Sequence, residues 1–133
     1  MSTRQITLAN LEEVVTGNDI VLLDFWAAWC MPCRMFGPVF EAASEQHPDI
    51  VFGKVDTETE QQLAAMFQVS SIPTLIVFRE GIPVFGQPGA LVGEQLEQLI
   101  TAVQALDMDE VRADIEQHRA EQAAKAEGAE AQA

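Results

Sequence analysis

The chain has only two cysteines in 133 residues, seven basic side chains against twenty-one acidic ones, and no long apolar run. No segment reaches the roughly eighteen consecutive apolar residues of a membrane-spanning helix. The N-terminal MSTRQITLAN has one arginine and no apolar stretch of signal-peptide length, so the expected setting is the cytoplasm. A net charge of −14 disfavours nucleic acid and anionic membrane as partners, and most of it reads as solvated surface. With so few cysteines a stapled fold is the weakest reading. A reducing cytoplasm does not preserve a structural disulfide, and so short a loop would constrain the unfolded chain very little. Tetrahedral zinc asks for a full set of Cys or His ligands. To its one cysteine pair the chain adds only His47 and His118, with no second pair at finger-like spacing. Redox chemistry is what remains.

The length, with 48% hydrophobic residues, suits one globular domain that buries a real core, plus a short appendage. Asn10-Leu-Glu-Glu13 fits a capping box, which predicts a first helix from Leu11 toward Thr16 ended by Gly17-Asn18. A short strand is expected before it, around Gln5 to Leu8. Ile20 to Phe25, IVLLDF, is almost unbroken in β-forming apolar residues, as a strand buried on both faces requires, and should be central. Beyond Cys33, the spacing of Met35, Phe36, Val39, Phe40 and Ala43 is helical, which puts Cys30 at or just before a helix N-terminus. Pro32 fits a first turn, whereas Pro38 lies inside the helix and should kink it.

Ile50 to Asp56 reads as a second strand, and Thr57-Glu-Thr-Glu60 as a capping box opening a helix through Leu63, Met66 and Phe67. Thr74 to Phe78 and Ile82 to Gly86, joined at Arg79 to Gly81, form an expected antiparallel hairpin. A last helix carries Leu96, Leu99, Ile100, Val103 and Leu106 on one stripe. Valine at position 92 caps poorly, which leaves Gly93 as the expected cap. This order predicts an α/β fold with a mixed sheet flanked by helices. The domain should span residues 1–106. Residues 107–133 hold eight acidic and three basic residues with much alanine, and are expected to form an acidic tail, helical or partly disordered. Asp107-Met-Asp-Glu110 would cap its helix.

The two cysteines stand in WCMPCR, residues 29–34, two residues apart. A thiol is nucleophilic only as thiolate, and the free N–H groups and partial positive charge of a helix start favour that anion. Cys30 has the better access to both. Cys33, one turn on, can reach back and displace whatever Cys30 has captured, so the pair is a reversible two-electron switch. A CxxC after a buried strand and at a helix start is a strong signal.

On VLLDFWAAWCMPCR, the Lys and Asp of GKVD, SSIPT, the glycine of REG and PGAL, the chain resembles the thioredoxin family over about residues 4–106. The resemblance implies the thioredoxin fold and a protein-disulfide reductase. Cys30 would attack a client disulfide and Cys33 would resolve the mixed disulfide. Electrons would come from NADPH through a flavin-dependent thioredoxin reductase, with no cofactor bound to this chain, which is expected to be a monomer. Asp24, a carboxylate on the central strand, should have a raised pKa. By family match it helps deprotonate Cys33, with Lys54 modulating it. Ile72-Pro73 matches the cis-proline loop, where the backbone of Ile72 pairs with an extended client segment. Trp29, Met31, Pro32, Gly89 and Ala90 would rim that groove. Met31 stands where the family usually has glycine, and its thioether is oxidisable. His47 is expected as a dipole partner at a helix end, and His118 as solvated. Rival readings are a more oxidising oxidase or isomerase of the same fold, and a non-catalytic module that binds partners in the groove.

Overall fold

An apolar strand needs cover on both faces, and the computed structural model, which describes residues 2–132, supplies it around Ile20–Trp26. The elements run β1 (Thr3–Gln5), α1 (Leu11–Thr16), β2 (Ile20–Trp26), α2 (Met31–Gln46), β3 (Val51–Asp56), α3 (Gln61–Met66), β4 (Thr74–Arg79), β5 (Ile82–Pro88), α4 (Gly93–Gln104) and α5 (Met108–Gln132). The sheet order is β1-β3-β2-β4-β5, with β1 and β2 parallel to β3, and β4 antiparallel to both β2 and β5. β2 is therefore central, and its first six residues are buried.

Strand side chains alternate between faces, and that alternation divides the core. Val21, Leu23 and Phe25 pack with Val14 and Val15 of α1 and Leu63 of α3. Leu22 and Asp24 point the other way. On that side Phe40 of α2 meets Phe52 of β3 edge-on, with ring centroids 5.1 Å apart. The glycine at 53 is required by close approach. A β-carbon there would come within 2.5 Å of Ile6 Cγ1 and 2.9 Å of Leu23 Cδ2. In the β4–β5 turn, Glu80 and Gly81 both take positive φ, 52° and 80°, as a tight two-residue hairpin requires.

Several local expectations are corrected. β1 starts two residues earlier than expected and ends three residues earlier, at Gln5, because Thr7 to Asn10 form a turn in which Asn10 Oδ1 accepts the Thr7 N–H at 2.8 Å. The Asn10 side chain thus points backward and caps nothing in α1. Nor does Thr57 open a capping box. Its hydroxyl donates to the Trp26 carbonyl at 3.0 Å, and α3 starts only at Gln61. Met66, expected on the apolar stripe of α3, is exposed. Gly93 is the first residue of α4 rather than its cap. The carbonyl of Val92 accepts the Leu96 N–H, and the Gln95 side chain accepts the Val92 N–H at 3.1 Å.

The described chain divides into two units, one ending at Val103 and the other beginning at Gln104. In the second unit Asp107 Oδ1 accepts the N–H groups of Asp109 and Glu110 at 3.1 and 3.2 Å, which satisfies donors at the start of α5. Beyond its first turns α5 is alanine and charge, with its side chains exposed from Glu116 to Gly128.

Candidate active site

β2 ends at Trp26, and a turn through Ala28 and Trp29 carries the chain to Cys30, the residue that caps α2. Cys30 has extended backbone, φ −87° and ψ 112°, and its sulfur accepts the N–H of Cys33 at 3.3 Å. Sulfur thus occupies the place where serine or aspartate oxygen usually caps a helix. Met31 and Pro32 follow as the first two helical residues, and a proline there forfeits no intrahelical bond. The two cysteines are joined as a disulfide, with Cα atoms 5.3 Å apart.

Opposite the sulfurs lies the loop before β4. The Ile72-Pro73 bond is cis, and the Ile72 carbonyl oxygen is 3.7 Å from Cys30 Sγ. Pro73 is buried, and Ile72 packs on the small cluster of Ala27, Cys30 and Cys33. The Gly89 N–H donates to the Pro73 carbonyl at 2.8 Å, which ties the end of the hairpin to this loop. Gly89 has φ 110° with open space around it, so backbone conformation rather than crowding calls for glycine. Ala90 is exposed beside it.

The rim is apolar and open. Trp29 is 68% exposed and Met31 64%, and Pro32 is exposed as well. The Trp29 indole N–H donates to the carboxylate of Glu58, whose own N–H donates to Asp56 Oδ1 at 2.9 Å. Glu58 was not legible as a site residue, since nothing in sequence spacing links positions 29 and 58. Trp26 was also missed. It packs against the cysteine cluster, and the Lys54 ammonium stands 5.1 Å from its ring centroid.

Asp24, fully buried, lies beside Lys54 in the β2–β3 register, with Oδ2 3.6 Å from Lys54 Nζ. That separation is too long for a hydrogen bond, and neither carboxylate oxygen has a hydrogen-bond partner. Burial pushes the Asp24 carboxyl up from 3.8 to about 6, and the positive charge of Lys54 limits the rise. A cleft of about 280 Å³ is lined by Cys33, Arg34, Gly37 and Lys54 among others, so that Cys33 and Lys54 share it. Among the described residues no three His, Cys, Asp or Glu side chains gather as metal ligands, and no helix is long and apolar enough to cross a membrane. His47 ends α2 and pairs with Glu97 of α4 at 2.8 Å, while His118 is exposed on α5.

Residues 2–105 match the family model described as thioredoxin. The chain belongs to the thioredoxin family. A Streptomyces coelicolor protein that bears a thioredoxin name is 52% identical over 120 residues, 90% of each chain. A Mycobacterium leprae protein named bifunctional thioredoxin reductase/thioredoxin is 49% identical over 73 residues, 54% of this chain and 16% of that one. Among solved structures, a thioredoxin variant from Halobacterium salinarum superposes with a TM-score of 0.74 at 34% identity, covering 80% of this chain and 94% of that one. The five-stranded sheet is the thioredoxin sheet, and the chain is a thioredoxin-type disulfide oxidoreductase whose redox-active pair is Cys30–Cys33. Thioredoxins act on disulfide-containing clients.

Proposed function

We propose that the protein reduces disulfides of cytoplasmic client proteins, with Cys30 as nucleophile and Cys33 as resolving thiol. The observation that carries this reading is the Cys33 N–H directed at Cys30 Sγ. A donor at a helix start stabilises a thiolate on Cys30. That thiolate attacks one sulfur of the client disulfide, forms the Cys30–client bond and expels the other client sulfur, which takes up a proton. Cys33 then loses its proton and attacks Cys30 Sγ. The second client sulfur leaves, and the protein is left with the Cys30–Cys33 disulfide. Two electrons have passed to the client.

Asp24 accepts the Cys33 proton, and Lys54 keeps the carboxyl in a range where exchange near neutral pH is feasible. The client lies extended along the Ile72 backbone, over a surface made by Trp29, Met31, Pro32, Pro73, Gly89 and Ala90. NADPH, through a separate thioredoxin reductase, returns the disulfide to the dithiol. The M. leprae relative, whose name joins a thioredoxin reductase to a thioredoxin, supports that electron source. The protein works as a monomer with no cofactor of its own.

The test is reduction of insulin disulfides driven by NADPH and a bacterial thioredoxin reductase. Turnover should occur with the parent protein and fall to background in Cys30→Ser. Cys33→Ser should accumulate clients as mixed disulfides on Cys30. If partners are retained equally when both cysteines are serine, the protein is a binding module and the reductase reading fails.

A further inference from the structure

α2 holds a glycine where a helix gains nothing from one. In a helix interior glycine is less stable than alanine. Gly37 is half-buried and lies four residues beyond Cys33, one turn along the same face. Across the cleft, an ideal β-carbon at 37 would touch only the Lys54 ammonium, at 3.7 Å. The cleft they share has Cys33 on its wall and a volume of about 280 Å³. Water occupies about 30 Å³ per molecule in the liquid, so this cleft admits several. Asp24 itself does not line it. Lys54 does, and holds its ammonium 3.6 Å from the carboxylate. Arg34 forms another part of the wall and is anchored by its Nε–H on the Ala28 carbonyl at 3.0 Å.

We infer that Gly37 is a positioning residue for the resolving step: its missing side chain keeps open the solvent path from Cys33 to the Lys54–Asp24 pair and leaves the Lys54 ammonium room to stay beside Asp24. The inference rests on the proposed role of Asp24. Helix side chains lean toward the N-terminus, over the preceding turn. A leucine at 37 would therefore lie across Cys33 and Arg34 and fill the cleft, whereas alanine makes only ordinary contact with Lys54. The charged groups about the cleft are Lys54 from β3 and Arg34 from α2. Arg4 of β1 lies with Lys54 on the far side, and β4 faces Asp24 with the uncharged Leu75.

The experiment measures three quantities in the full chain with Gly37→Ala, Gly37→Leu, Gly37→Met and Asp24→Asn. They are the rate of mixed-disulfide formation, the rate of its resolution, and, where Asp24 is present, its titration by carbon-13 NMR. Gly37→Leu should form the mixed disulfide at the parent rate but resolve it about tenfold or more slowly, as loss of assisted proton transfer predicts. Its Asp24 midpoint should move up as the ammonium is displaced. Gly37→Ala should match the parent in every respect. Gly37→Met fills the same space with a more flexible side chain and should reproduce the leucine result if that variant folds poorly. Slow resolution in Asp24→Asn together with parent-like resolution and an unmoved midpoint in both bulky variants overturns the role of Gly37. Fast resolution in Asp24→Asn instead overturns the Asp24 reading beneath it.

Discussion

At position 24 a carboxylate stands in the middle of an otherwise apolar strand, fully buried and without a hydrogen-bond partner. Such a group favours its neutral form, and only Lys54 moderates this. The consequence for stability follows from the sign of the shift. The folded protein holds the Asp24 proton up to about pH 6, and the unfolded chain releases it near 3.8. Below the lower value both states are protonated and the group is neutral in effect. As pH rises between the two, a penalty on the folded state grows, and it is complete above about 6. Asp24→Asn removes it. The variant should therefore be more stable than the parent at pH 7.5 by on the order of 3 kcal/mol, with the gain gone at pH 3.5. Urea midpoints at the two pH values check this. Asp24 was legible because a lone carboxylate inside IVLLDF is conspicuous, and the Cys pair because of its spacing. Glu58 and Gly37 were not, since their partners at positions 29 and 54 are brought near only by the finished sheet and helix.

The elements themselves were readable where one signal dominated. The continuous apolar run gave the central strand, and the helical period after Cys33 gave α2 with Cys30 at its cap. The errors came at helix starts, where short polar side chains choose among several backbone partners. Asn10 prefers Thr7 and Gln5, Thr57 prefers Trp26, and neither choice can be read from a four-residue pattern. Gly53 marks a requirement that composition hides. It lies where β3 passes between Ile6 and Leu23, too close for any β-carbon. Gly53→Ala should lower stability by about 1–3 kcal/mol through overpacking, although alanine is the better-behaved residue in isolation. Thermal melting checks this, and an unchanged midpoint would mean that Ile6 and Leu23 give way without strain.

Over the whole chain, charge and architecture separate. The redox pair Cys30–Cys33 lies in the first unit, with the sheet. α5 is long but has no apolar stripe after its first turns, so its helicity depends on alanine-rich local propensity and charge pairs such as Arg112–Asp109 at 2.8 Å. A protein ending at Leu106 should keep insulin-reducing activity within about twofold and should unfold cooperatively, as small single domains do. Its helical circular dichroism should drop by the share that α5 contributes. Loss of cooperative unfolding would place the domain boundary further along the chain. The acidic tail was visible in composition, but its role was not, because an amphipathic pattern that would name a partner is missing.

The hydrogen that steadies the attacking sulfur belongs to the peptide backbone at position 33, not to the thiol there. Capture and release are thereby vested in different parts of one residue. Exchanging that side chain silences the second half of the cycle and leaves the first half armed, so the enzyme can be turned into a snare for its own targets without blunting its reach.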